Sequence, residues 1–525
     1  MNMPEKIDAL CSGMERELSI SSRLISTRLI RMSEILYKLV DKKSDSVKEY
    51  AADKIRRMAV QTEKRVLKVW LYSVMMGFTN RIELVEEFLT YIIQEDRFRP
   101  ETKYFLYYQI EAATFRKARL DNENIKYLKW ELLKNIVASF KETLKEYLDY
   151  IPYNERKMDT AIVICGQILE AGHAPTMIAV EKCKFLTENM HMKVLLVNTA
   201  EALSGAGSLQ YFGALEGNYI DELLYKDFIE WKGTRIPFFQ CENNMPNTND
   251  LSALLQMVHK VKPGLIMEIG TSSIFANLAD NIIPVLTYGT VGDVKSTMTR
   301  CQTLTRNLRE EDVRLLDRAG IRRDSIIEIP LQMTVQKQMK KMNRKKLGLP
   351  EEKFILAIVG NRLDAEIDER FMRMLAGIVL DSDIAVAVIG EFRSYKKYVQ
   401  EFPELLGKVF FLGRTNDLQA WLENCDLFIN PYRAGGGTSG IYALMKGVPV
   451  ITAAFGDVSV CAGDEFCTDS YVTMPDLIRK YKNDREFYLK KSELAKERAK
   501  LLISSTDTFV NVVEEFQNRI RDEQL

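Results

Sequence analysis

Residues 428–451 read FINPYRAGGGTSGIYALMKGVPVI, and this stretch decides the fold. An apolar run ends at Asn430 and Pro431. Three glycines follow (Gly435, Gly436, Gly437), then Thr438 and Ser439 open a helical pattern that closes at Gly447. The next apolar run starts at Val448. Strand, glycine loop, helix and strand in that order form one unit of a parallel α/β sheet. Glycine lets the backbone approach a ligand closely. The unpaired N–H groups of a helix start, with two hydroxyls beside them, suit a diphosphate.

The same grammar extends in both directions. One series comprises the apolar runs 160–165, 193–198, 265–269 and 284–288; a second comprises 354–359, 384–389, 409–412, 427–430 and 448–452. Continuous apolar strands alternating with helices predict parallel sheets covered on both faces. Two such modules in tandem place a ligand crevice at the carboxyl ends of their strands. The lysine- and methionine-rich stretch 330–352 reads as the connection between them.

Residues 1–155 are different. They hold only two of the 27 glycines and three of the 14 prolines, and their apolar residues recur at helical spacing. Helices are expected near 64–76, 80–95, 101–119 and 123–148, with Thr79-Asn80 and Asp121-Asn122 as turns or caps. The expected organisation is therefore an all-helical domain (1–155), a first Rossmann-like domain (156–335) and a second one (336–525) that includes the C-terminal helices.

Lys plus Arg and Asp plus Glu number 73 each. That balance excludes a dedicated nucleic-acid binder or a polybasic membrane surface. No apolar run is long enough to span a membrane. The start of the chain has no apolar core of a secretory signal, and the eight cysteines are irregularly spaced. Both point to the cytoplasm. The three histidines show no metal-ligand spacing, which excludes a histidine-rich metal site but not a carboxylate-held Mg²⁺; no metal-binding residue is assigned.

Two further loops carry chemistry. After the strand 354–359 comes VGNRLDAEI (359–367), where Gly360 and Arg362 suit a phosphate, the guanidinium fork matching two oxygens. Arg433 is the second candidate cation and Lys446 the third. After the strand 160–165 comes GQILEAGHAPT (166–176), with His173 before a proline-led helix start. A neutral imidazole there can take a proton from an acceptor. Thr271, in the loop 270–273, and the loops 288–294 and 456–458 complete the crevice-lining candidates. Asp381-Ser-Asp383 is read as a turn rather than a metal site.

The order VFFLGR (409–414), DLFINP (426–431), GGGTS (435–439) and GVPV (447–450) resembles the donor half of GT-B glycosyltransferases. It is similar in layout to bacterial cytoplasmic N-glycosyltransferases and to O-GlcNAc transferases, which also carry a helical domain. The resemblance implies an α/β fold of two facing Rossmann-like domains preceded by an all-α domain. It implies a nucleotide diphosphate sugar as donor, with a UDP-sugar favoured, and a protein or glycan acceptor. By this likeness Gly413 contacts the nucleobase, Gly435, Gly436, Gly437, Thr438 and Ser439 hold the diphosphate, and Tyr442 is a candidate near the ribose. No cofactor is implied beyond the donor. The glutamate pair of many retaining relatives is replaced by Ala434 and Tyr442, which with His173 favours inversion. A nucleotide-sugar epimerase and a non-catalytic partner subunit are the alternatives. The helical domain is expected to recruit a protein acceptor or to mediate oligomerisation.

Overall fold

The computed structural model describes residues 2–20, 25–41, 43–169, 173–202, 209, 219–270, 272–290, 292–503 and 505–522. Among the described residues, seven α-helices fill the amino-terminal region: α1 (Met3–Ile20), α2 (Thr27–Val40), α3 (Asp45–Gln61), α4 (Arg65–Phe78), α5 (Ile82–Gln94), α6 (Pro100–Arg116) and α7 (Glu123–Leu144). The start of α7 is fixed as the sequence suggests. Asn122 accepts from the Ile125 N–H at 2.8 Å, satisfying one of the orphan donors of the first turn.

The first sheet has eight strands: β1 (Lys157–Cys165), β2 (Lys193–Asn198), β3 (Phe228–Trp231), β4 (Thr234–Gln240), β5 (Pro263–Ile269), β6 (Val285–Tyr288), β7 (Cys301–Leu304) and β8 (Ile326–Glu328). Their order is β3-β4-β2-β1-β5-β6-β7-β8. All neighbours run parallel except β3 and β4, an antiparallel hairpin at one edge. The second sheet contains β9 (Phe354–Gly360), β10 (Ile384–Gly390), β11 (Val409–Gly413), β12 (Leu427–Ile429), β13 (Val450–Ala453) and β14 (Cys467–Thr468). It is wholly parallel, in the order β11-β10-β9-β12-β13-β14.

Strand order places the site. From β9 the chain winds outward to β10 and β11, then returns to the other side of β9 as β12. The loops leaving β9 and β12 therefore diverge, and a crevice opens between them at the carboxyl ends. Those loops carry Arg362 and the residues 430–439. In the first sheet the equivalent reversal lies between β1 and β5, whose following loops carry His173 and residues 270–273.

The helical module shares its core with the first sheet: Leu132, Ile136 and Phe140 of α7 belong to the same apolar cluster as Ile164 of β1 and Ile266 of β5. The final helix, Thr506–Asp522, corrects the expected grouping of the C-terminal helices with the second module. It crosses back to the first, where Phe509, Val513 and Phe516 are buried against Ala179, Cys183 and Ile327. Its apolar face has the helical period but no local signal of which sheet it covers. Among the described residues no helix is long and apolar enough to cross a membrane.

Phe509 is 1% exposed and meets the rings of Phe185 and Tyr288. Phe509→Ala is expected to cost about 3–5 kcal/mol, read as a fall in the urea midpoint of the first module. An unchanged midpoint would show that the last helix is not part of that core.

Candidate functional site

The glycine loop is built on one buried guanidinium. Arg433, only 3% exposed, donates through Nε to Asn430 Oδ1 at 2.8 Å and through Nη1 to Glu366 Oε2 at 2.8 Å. Its Nη2 is buried and has no hydrogen-bond partner. The loop folds directly over this side chain. Gly436 has φ +101°, and a Cβ there would lie 2.6 Å from Arg433 Nη2. Gly360 is equally constrained, since a Cβ would lie 2.7 Å from Nη1. Both glycines are required by close approach, and Gly436 also by its left-handed backbone.

Glu366 holds the second arginine as well: Arg362 Nε donates to its Oε1 at 3.0 Å. Burial raises the Glu366 carboxyl, but Arg433 and Arg362 together outweigh burial and hold it below the ordinary carboxylate range. Both guanidiniums lie near the amino end of the helix Gly437–Met445. The helix dipole adds a partial positive charge of about half a unit there. Arg362, half-buried, lies beside Gly435: its Nη2 is 2.9 Å from where a Cβ would sit. Arg433 is thus the internal strut of the loop and Arg362 the cation at its rim.

Thr438 and Ser439 are half-buried in the first turn of that helix, and Thr438 Oγ1 touches Met333 Sδ at 3.7 Å. Tyr442 is placed elsewhere. It is buried in the core of the second module, and its hydroxyl accepts from the Gln336 N–H at 3.1 Å, tying the helix to the interdomain connection. Gly413, with φ +76°, ends β11. It is one of three glycines ending adjacent parallel strands, the others being Gly360 on β9 and Gly390 on β10. Gly390 was not singled out from the sequence. A Cβ there would lie 2.0 Å from the Gly360 carbonyl oxygen. The row of strand-end glycines forms a side-chain-free floor leading from the edge of the sheet to the loop 435–439.

His173 precedes the helix Ala174–Glu188. Its Nδ1 lies 2.8 Å from Thr176 Oγ1, which also accepts from the Leu169 N–H at 3.0 Å. With Nδ1 protonated toward Thr176, Nε2 keeps its lone pair for an incoming proton. Burial lowers the imidazole to about 4, so it is neutral at pH 7. Ala174 packs against the core of the second module and Met177 meets Gln336, so this loop borders the crevice. Thr271 lies outside the described residues.

Asp457, seen in the sequence only as part of a crevice-lining loop, has a larger place. Its Oδ1 accepts across the crevice from the Gly292 N–H at 3.2 Å, and its own N–H donates to the Ala434 carbonyl at 2.7 Å. A Cβ at Gly437 would lie 3.0 Å from Asp457 Cβ. Burial between the modules raises its carboxyl to about 7, against the attraction of Lys295 and Arg362 and with the repulsion of Asp293. This puts a carboxylic acid that titrates near neutrality beside Ala434.

A cavity of about 50 Å³ opens where all three modules meet, lined by Phe115, Lys126, Asp293, Lys295, Ala434 and Phe455. A larger one, about 490 Å³, lies at the opposite end of the second sheet beside Arg344, Asp426, Lys446 and Lys496. Lys446 belongs there, paired with Glu423 at 3.8 Å, and not to the glycine loop. Among the described residues no group of three or more His, Cys, Asp or Glu side chains is arranged to hold a metal ion.

Residues 339–500 match the family described as "Glycosyl transferases group 1". Over this stretch the second module is similar to a group 1 glycosyltransferase domain. The two sheets, their crevice and the preceding helices give the whole chain a GT-B architecture. An O-GlcNAc transferase of Thermobaculum terrenum is similar in fold, at 10% identity and a TM-score of 0.50, over 99% of this chain and 98% of that one. HepE of Anabaena, solved with UDP and glucose, covers 68% of this chain and 99% of its own at 14% identity and a TM-score of 0.48. A glycosyltransferase of Rickettsia africae covers 69% and 99% at 12% identity and 0.49. No curated protein matches the chain by sequence.

The His173 value fixes the sign of a stability effect. The imidazole titrates near 6.5 when unperturbed and near 4 in the fold, so between these values the unfolded chain binds more protons. The contribution is fully present above pH 6.5 and is lost as pH falls through 4. His173→Gln cannot titrate, so the stability difference between wild type and variant should change steadily between pH 6.5 and 4.5 in urea denaturation. A constant difference would contradict the buried, neutral imidazole.

Proposed function

We propose that the chain transfers a sugar from a nucleotide diphosphate sugar, most simply a UDP-sugar, to a protein or glycan acceptor. The observation that carries this reading is the unpartnered, buried Arg433 Nη2 beneath Gly436 at the amino end of the helix Gly437–Met445. A buried guanidinium edge without an acceptor is costly unless an anion completes it. The group 1 family match over this module supports sugar transfer.

In this reading the diphosphate rests on the N–H groups of residues 437–439, with Arg362 at the rim. Charge growing on the departing diphosphate meets donors already in place, so little reorganisation is needed as the glycosidic bond breaks. The cations are arginines, and the proposed chemistry runs without a metal. Gly360, Gly390 and Gly413 floor the path toward the nucleobase. His173 Nε2 takes the proton from the acceptor hydroxyl or amide. With no carboxylate at 434 or 442, we propose direct displacement with inversion. Asp457 borders the donor sugar and supplies a hydrogen bond in its protonated form. The eight cysteines are unpaired, in keeping with work in a reducing cytoplasm.

Calorimetric titration with UDP, GDP, dTDP and their sugars tests the donor. Arg362→Met should weaken the preferred nucleotide about tenfold or more, the scale of a lost charge-assisted contact. Failure of every nucleotide to bind wild type at millimolar concentration would end the donor reading. Sugar release or epimerisation without an acceptor would instead favour an epimerase.

His173→Ala should lower turnover by about 10²-fold or more while leaving donor affinity within twofold. Turnover retained within about tenfold would remove His173 as the base.

A further inference from the structure

The helical module reaches the donor loop itself. Phe115, in the last turn of α6, lies under the Arg362 guanidinium, with the Arg362 Cζ 4.9 Å from the ring centre. The edge of the same ring is 3.3 Å from where a Cβ at Gly435 would be, and Arg362 Nη2 is 2.9 Å from that spot. Gly435 is therefore closely approached by both Phe115 and Arg362. Four residues on, in the turn Ala118–Leu120, Arg119 pairs with Asp368 and lies 5.8 Å from the Tyr432 ring centre. Asp368 in turn caps the helix Glu369–Ile378 through the Phe371 N–H at 2.9 Å. Tyr432 is two residues before Ala434.

The other side of the same corner is anchored on the first module. Tyr107 Oη lies 2.8 Å from Ser272 Oγ, Trp130 Nε1 donates to the Thr297 carbonyl at 3.1 Å, and Arg314 pairs with Glu123 at 3.0 Å. The α6–α7 corner thus spans both α/β modules and closes the crevice beside the glycine loop. Nothing in the composition of α6 announces this; Phe115 reads as one more apolar residue of a helix.

We infer that Phe115 is a positioning residue of the donor site, holding the Arg362 guanidinium beside Gly435 at the rim of the diphosphate loop. The inference rests on the donor reading above. Glu366 accepts from Arg362 Nε, and the Phe115 ring lies against the same guanidinium. A guanidinium over an aromatic face gains a cation–π attraction that restrains where it sits. The helical module is in consequence a third wall of the donor pocket and acts on donor affinity, distinct from any part it plays in acceptor recruitment.

The test uses the full chain and UDP as the probe. Phe115→Leu keeps the apolar bulk and removes the ring; Phe115→Tyr keeps the ring. Phe115→Leu should weaken UDP binding roughly three- to thirtyfold, the range of a cation–π contact, with Phe115→Tyr within twofold of wild type and the acceptor KM unchanged in both. In an Arg362→Met background, Phe115→Leu should have no further effect, which separates positioning through Arg362 from a general loosening of the corner. Wild-type UDP affinity in Phe115→Leu, or an equal loss in the Arg362→Met background, overturns the inference while leaving the donor reading intact. If UDP, GDP and dTDP all fail to bind wild type, the donor reading falls and the inference with it.

Discussion

The carboxylate of Glu366 between two guanidiniums is the interaction on which the site depends. It is buried, it holds Arg433 beneath the glycine loop, and it restrains Arg362 at the rim. Removing one partner of such a buried pair costs about 3–5 kcal/mol, because the remaining charge is left without compensation. The arrangement also explains the glycines. Gly360 and Gly436 have no side chain because the Arg433 guanidinium already fills the space. Gly456, with φ +75°, lets its strand-end loop pass 2.2 Å, measured from a Cβ position, from the Arg433 carbonyl.

Around that centre, three modules contribute different things. The second supplies the loop, the helix start and both arginines. The first supplies His173 and the Gly292 N–H that meets Asp457 across the crevice. The helical module supplies an aromatic face and an ion pair on the open side. A carboxylate beside a diphosphate is normally a liability. Beside the proposed diphosphate Asp457 is tolerable because its confinement raises it to about 7, and an anion placed there favours the protonated form further.

Much of the fold was legible in the sequence because buried parallel strands are continuous apolar runs. β1, β2, β5, β6, β9 and β10 stand out for that reason. β7 and β8 did not, being four and three residues long with Gln302, Thr303 and Glu328 among them. The β3–β4 hairpin escaped too: along β4 buried and exposed residues alternate, the pattern of a half-covered edge. At the candidate site, the glycine loop and Arg362 were singled out from local spacing. The burial of Arg433 was not, since it is decided by Glu366, 67 residues earlier in the chain. Glu366 carried no signal of its own in the loop 359–367, whereas its position makes it the anchor of two cations. Tyr442 was a candidate by likeness, and packing assigned it to the core instead. Phe115 and Asp457 depend on contacts between modules, which no local pattern encodes.

The central claim is that the loop 435–439 holds a diphosphate, and a crystal structure of the full chain with UDP tests it most directly. The account predicts the β-phosphate at about 3 Å from the backbone N–H groups of residues 437–439, with Arg433 Nη2 facing it and Arg362 at its side. UDP bound instead in the large polar cavity at the other end of the sheet, beside Arg344 and Lys496, would contradict it.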